Sequence, residues 1–170
     1  MSELLLLGVS HKTAPVALRE RLALTQAESE RFLRDIVALP EVREAASIST
    51  CNRTEIYLVV GEAVAAESAV LGKLANRAGI RPTELADVIY SPRNCDAARQ
   101  LFSVTSGLES MIVGESEVQG QVRRAYELAL LIARRETGFG RQAFPAANPW
   151  SIDQLLEGSF YPGDMTDFGG

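Results

Sequence analysis

Short apolar runs, helical segments that open on capping boxes, and the order in which the two alternate predict an α+β fold. The runs at residues 4–9, 45–49, 55–60 and 88–90 are too brief for ordinary helices and end in polar or turn-forming residues, so they read as strands. Between and after them, apolar residues recur at helical spacing. The order strand, helix, strand, strand, helix, strand is that of a ferredoxin-like split βαβ unit. It implies an antiparallel sheet with helices on one face, followed here by the start of a long helix and an irregular tail.

Leu4 to Leu7 form a run that stops at Gly8 and Ser10, as a buried strand does. Ser10-His11-Lys12-Thr13-Ala14-Pro15 makes a polar turn at its carboxyl end, and Pro15, suited to a first helical position, opens a short helical turn through Leu18 and Arg21. In Thr25-Gln26-Ala27-Glu28, a hydroxyl and a carboxylate three residues apart satisfy the free N–H groups of a helix start. Phe32, Leu33, Ile36 and Val37 share one face of the helix that follows, and Pro40 stops it. Residues 45–49 and 55–60 are the second and third strands. A helix over 63–78 carries the stripe Val70, Leu71, Leu74 and Ala78 and ends at Gly79.

The fourth strand, 88–90, is closed by Ser91-Pro92, and Asn94 then caps a helix bearing Ala97, Ala98, Leu101, Phe102 and Val104. Ser116-Glu117-Val118-Gln119 is a second capping box, and Val118, Val122, Tyr126, Ala129 and Ala133 form the stripe of a long last helix. That stripe needs a partner, in the preceding domain, another subunit or another domain. The organisation expected is a domain over 1–115, the start of a long helix over 116–135, and an irregular tail over 136–170. The tail holds Pro145, Pro149, Pro162, six glycines and six aromatics. Its Gly138-Phe139-Gly140-Arg141-Gln142-Ala143 has the letters of a dinucleotide fingerprint but lacks the preceding apolar strand that such a site requires.

With 46% hydrophobic and 23% charged residues in 170, the chain can bury a core. No apolar run approaches the roughly 18 residues of a membrane span, and Leu4 to Leu7 lacks a basic leader, which reads as a cytoplasmic protein without membrane association. A lone disulfide between Cys51 and Cys95 is not expected in such a setting, and one His without a CxxC pair gives a metal site little support. Most of the net charge of −5 comes from residues 136–170, with five acids against Arg141; the remainder is close to neutral and has no broad basic excess for nucleic acid.

Candidate chemistry centres on Ser49-Thr50-Cys51-Asn52-Arg53-Thr54-Glu55, between the second and third strands. A thiol is a nucleophile as its thiolate, and a nearby cation and turn N–H groups favour that form, a part Arg53 can play for Cys51. The plain alternative is a small buried hydrophobe at a strand end. Against it stand the hydroxyls, amide, guanidinium and carboxylate crowded into one turn, which are costly to bury unless they serve a purpose.

Three stretches carry a resemblance to a known family. Gly8-Val9-Ser10-His11-Lys12-Thr13-Ala14-Pro15, the cysteine turn, and Ser106-Gly107-Leu108-Glu109-Ser110-Met111-Ile112-Val113-Gly114-Glu115 with Gly120-Gln121-Val122 closely resemble the N-terminal catalytic domain of glutamyl-tRNA reductase. The resemblance covers roughly residues 4–130. It implies a cytosolic enzyme of tetrapyrrole biosynthesis that takes glutamate from glutamyl-tRNA and reduces it with NADPH to glutamate-1-semialdehyde, built as a ferredoxin-like domain followed by a spinal helix. It further implies that Cys51 attacks the aminoacyl ester to give an enzyme thioester and that Arg53 holds the substrate carboxylate. Thr50, Ser110, Glu115 and Gln121 match pocket positions; for Ser110 and Gln121, a loop cap and a helix-surface residue are the competing readings.

The departures bear on function. At position 100 the family pattern places His and this chain has Gln, which cannot exchange a proton near neutral pH. His11 is the substitute that the sequence offers. The family's NADPH-binding and dimerisation domains have no counterpart here, and homo-oligomerisation is expected only where the full architecture is present. The enzyme reading therefore extends to the thioester, with no NADPH-dependent reduction by this chain alone. The competing reading is a catalytically weakened relative acting as a binding or regulatory module.

Overall fold

A computed structural model describes residues 2–110 and 117–137. Glu115, Ser116 of the second capping box and all but the first two residues of the tail expected over 136–170 lie outside the described residues. The elements are β1 (Glu3–Ser10), α1 (Val16–Leu22), α2 (Gln26–Val37), β2 (Val42–Ser49), β3 (Arg53–Val60), α3 (Ala63–Ala78), α4 (Pro82–Ala86), α5 (Cys95–Thr105) and α6 (Glu117–Thr137). β3 is central, antiparallel to β1 on one side and β2 on the other. A central strand covered on both faces has no solvent side, and accordingly all eight residues of β3 are buried.

The fold is α+β, as expected. Thr25 and Glu28 form the capping box, and α3 ends on Gly79 in the left-handed conformation at φ 64°, which glycine adopts without steric cost. Pro15 sits one place before α1, as its N-cap.

Three expectations are corrected. The fourth strand reduces to isolated bridges along the free edge of β1, pairing Tyr90 with Gly8 and Arg93 with Leu5; Pro92, which has no N–H to donate, falls between them. Asn94 does precede α5, but its side chain makes no capping bond. Instead its Oδ1 accepts from the Leu4 N–H at 3.1 Å and its N–H donates to the Leu4 carbonyl at 2.8 Å, with φ at 50°. Finally, helices cover both faces of the sheet. Leu5, Leu7, Val9, Ile56, Leu58 and Val60 pack against α1 to α4, and Leu4, Leu6, Ile48, Tyr57 and Val59 against α5 and α6. The apolar stripe of α6 thus finds its partner within the domain, Val122 and Ala125 on the second face and Leu128 and Ile132 reaching the first core.

Candidate active site at the β2–β3 turn

The turn that joins β2 to β3 is held by one hydroxyl. Thr50 Oγ1 accepts from the N–H groups of Asn52 and Arg53 at 3.1 and 3.2 Å, while the Thr50 N–H donates to the Arg53 carbonyl at 2.8 Å. Thr50 therefore shapes the loop that presents its neighbour. Cys51 at the tip is exposed and unpaired, which removes the reading of it as a buried hydrophobe. It borders an open depression of about 720 Å³, also lined by Ser49, Thr50, Arg21 and Arg77. The cation that touches the residue is Arg19, whose Nη1 donates to the Cys51 carbonyl at 2.6 Å.

Arg53 is turned the other way. It is 5% exposed; its Nη1 lies 3.1 Å from Glu55 Oε1, and its Nη2 donates to the Glu109 carbonyl. Residues two apart on a strand share a face, so Arg53, Glu55 and Tyr57 form a polar ladder along β3. Glu55 is wholly buried. Its Oε1 also accepts from Tyr90 Oη at 2.6 Å and Gln100 Nε2 at 3.0 Å, and its Oε2 from Tyr57 Oη at 2.8 Å. Such a set of donors is what makes a buried carboxylate tolerable. Burial first, and then the Glu55 charge, push both phenols above their ordinary values, so they remain donors.

His11 joins the turn through its backbone, donating to the Asn52 carbonyl at 2.8 Å. Its Nδ1 is buried and has no hydrogen-bond partner. Burial, then Arg53, Lys12 and Arg19, hold the imidazole below its usual value, so it is neutral at pH 7. Lys12 Nζ reaches Glu109 Oε2 at 2.5 Å, tying the first polar turn to the segment whose carbonyl caps Arg53.

The residues singled out in the sequence thus fall into separate groups. Thr50 and Cys51 share the turn, His11 reaches it through its backbone N–H at Asn52, and Arg53 lies behind it. Ser110 follows Glu109, the residue that caps Arg53, and its N–H donates to the Gly107 carbonyl at 3.2 Å. Gln121 lines an adjoining cleft of about 170 Å³ with Ser29, Ser47, Ser49 and Arg124. The Gln100 amide is engaged by Glu55. Sequence reasoning had Glu55 only as one member of the polar run, without its buried partners, and missed Tyr90 and Arg19 as parts of the site. Two signals pointed to Glu55 and Tyr90: polar residues at every second position of a buried strand, and Gly8 inside a strand, a mark of close approach by another group.

The site therefore belongs to an antiparallel α+β domain that carries an exposed cysteine on a strand-joining turn beside a buried arginine–carboxylate network. The family model "Glutamyl-tRNAGlu reductase, N-terminal domain" matches residues 7–139. The chain belongs to that family. It is 42% identical over 127 residues to the glutamyl-tRNA reductase of Salinispora tropica, covering 75% of this chain and 28% of the relative. Over 122 residues it is 44% identical to that of Rubrobacter xylanophilus, covering 72% and 28%. The solved structure of glutamyl-tRNA reductase from Methanopyrus kandleri superposes with a TM-score of 0.61 at 35% identity, over 76% of this chain and 28% of that one. The chain thus spans little more than a quarter of the length of these relatives. No helix among the described residues is long and apolar enough to cross a membrane, and among them no group of three His, Cys, Asp or Glu is placed to hold a metal ion.

Proposed function

We propose that this domain performs the acyl-transfer half of a glutamyl-tRNA reductase reaction in tetrapyrrole biosynthesis. Cys51 Sγ bonds to the carbonyl carbon of the glutamyl ester, the ester bond to the terminal ribose breaks, and the thiol proton passes to the departing ribose oxygen. The product is a glutamyl thioester on Cys51 and free tRNA. The observation that carries this reading is the exposed Cys51 on a turn fixed by Thr50 and Arg19, in a member of this family.

The surrounding residues fit the task. His11, neutral and joined to the cysteine turn through its backbone, is the proposed proton acceptor. Arg53 selects the substrate's side-chain carboxylate, which replaces the Glu109 carbonyl on the guanidinium. Ser110, Glu115 and Gln121 are proposed to complete the pocket. The family's reductant is NADPH, and a dinucleotide cradle needs a parallel strand, glycine turn and helix. All strand pairs described here are antiparallel, which does not fit that group, and no step is assigned to it.

The test is single-turnover incubation with glutamyl-tRNA. Deacylation with transfer of the glutamyl group to protein is expected, and loss of both in Cys51→Ser. Deacylation that survives unchanged in Cys51→Ser overturns the reading.

A further inference from the structure

We propose that Tyr90 is a positioning residue for Arg53, acting through Glu55 from the segment bridged to the edge of β1. The inference rests on the reading of Arg53 as the group that holds the substrate carboxylate. Arg53 and Glu55 lie on one face of β3, and Gly8 of β1 is the register partner of Glu55. Tyr90 comes from outside this pair of strands and reaches in over Gly8.

Its place is fixed at both ends. The Gly8 N–H donates to the Tyr90 carbonyl at 2.9 Å, and the Tyr90 N–H donates to the Gly8 carbonyl at 2.8 Å. The ring then covers Gly8 so closely that a Cβ there would lie 2.5 Å from ring carbon Cε2. Only glycine leaves room for the phenol to pass. At the other end, the contact from Tyr90 Oη to Glu55 Oε1, at 2.6 Å, is the shortest of the four that Glu55 accepts.

Glu55 is confined between two phenols, the Gln100 amide and Arg53, and Arg53 is confined between Glu55 and the Glu109 carbonyl. With the phenol oxygen removed, Oε1 keeps Gln100 and Arg53 but loses its firmest donor, so the carboxylate and the guanidinium it steers gain freedom. The cysteine turn has its own supports in Thr50 and Arg19 and is untouched. Tyr90 therefore governs how well a carboxylate is recognised and leaves thiol chemistry alone.

The experiment uses the full chain and Tyr90→Phe. Single-turnover deacylation is measured across concentrations of the same tRNA charged with glutamate or with the neutral isostere glutamine. Tyr90→Phe is expected to raise the half-saturating concentration of glutamyl-tRNA about tenfold, the weight of one charge-assisted hydrogen bond, and to narrow the preference over glutaminyl-tRNA. The saturating rate should stay within about twofold. In parallel, the side-chain Nη signals of Arg53, followed by ¹⁵N NMR, should be separate in the parent and merge in Tyr90→Phe. Gly8→Ala, which displaces the ring, should reproduce both shifts. Unchanged saturation and unchanged Arg53 signals overturn the proposal, as does an equal loss with both acyl groups. If the parent transfers no glutamyl group at all, it is the proposed function that fails, and the Arg53 signals alone decide whether Tyr90 holds the guanidinium.

Discussion

The two faces of the three-stranded sheet are built from alternate residues of the same strands and serve different ends. On the first face Leu5, Leu7, Val9, Ile56, Leu58 and Val60 pack against α1 to α4 and against Leu128 and Ile132 of α6, and the buried polar residues there, Ser47 and Thr54, carry no charge. On the second, Leu4, Leu6 and Val59 continue the apolar pattern, but next to the cysteine turn it gives way to Arg53, Glu55 and Tyr57. A buried ionised pair is a poor way to gain stability and a good way to fix a guanidinium in one orientation. The first face therefore holds the fold and the second holds the site, within a single strand that belongs to both.

The largest test of this division is Leu58→Ala. Its side chain is completely buried on the first face, and truncation should cost about 2–5 kcal/mol, read from the denaturant midpoint. A cost below about 1 kcal/mol, well under the usual cavity range, would show that the first face is not where stability resides. The contrasting change on the second face is Tyr57→Phe, which keeps the ring and removes one donor to Glu55. A cost of about 1.5 kcal/mol is expected, the lower end for a hydrogen bond to a charged group. If Tyr57→Phe proved more damaging than Leu58→Ala, the roles of the two faces would be reversed.

The smallest effect concerns pH. The His11 imidazole is held below its unfolded value of 6.5, so as pH falls the unfolded chain takes up a proton before the folded chain does. Stability that is present above pH 6.5 is then lost between 6.5 and the lower folded value. His11→Gln should flatten that stretch of a plot of melting temperature against pH. A slope unchanged by the substitution would place the titration elsewhere.

Much of this was legible in the chain itself, because it rests on interactions between near neighbours. Short apolar runs, the Thr25–Glu28 capping box and Gly79 define α2 and α3 and the sheet strands within a few residues, since periodicity and cap chemistry are local. The cysteine turn, Thr50 to Asn52, could likewise be read, as one hydroxyl, Thr50, satisfies the loop from within it. What the tertiary structure alone decided is how distant residues divide these groups. Arg53 was read beside Cys51 because it is two residues away; the alternation of a strand directs it instead to Glu55, with Tyr90 and Gln100 supplied from 35 and 45 residues further along the chain. Asn94 has the sequence character of a helix cap, yet the unpaired edge of β1 claims its side chain. In both cases buried polar groups take the partners that folding brings within reach, and sequence spacing does not record who those partners are.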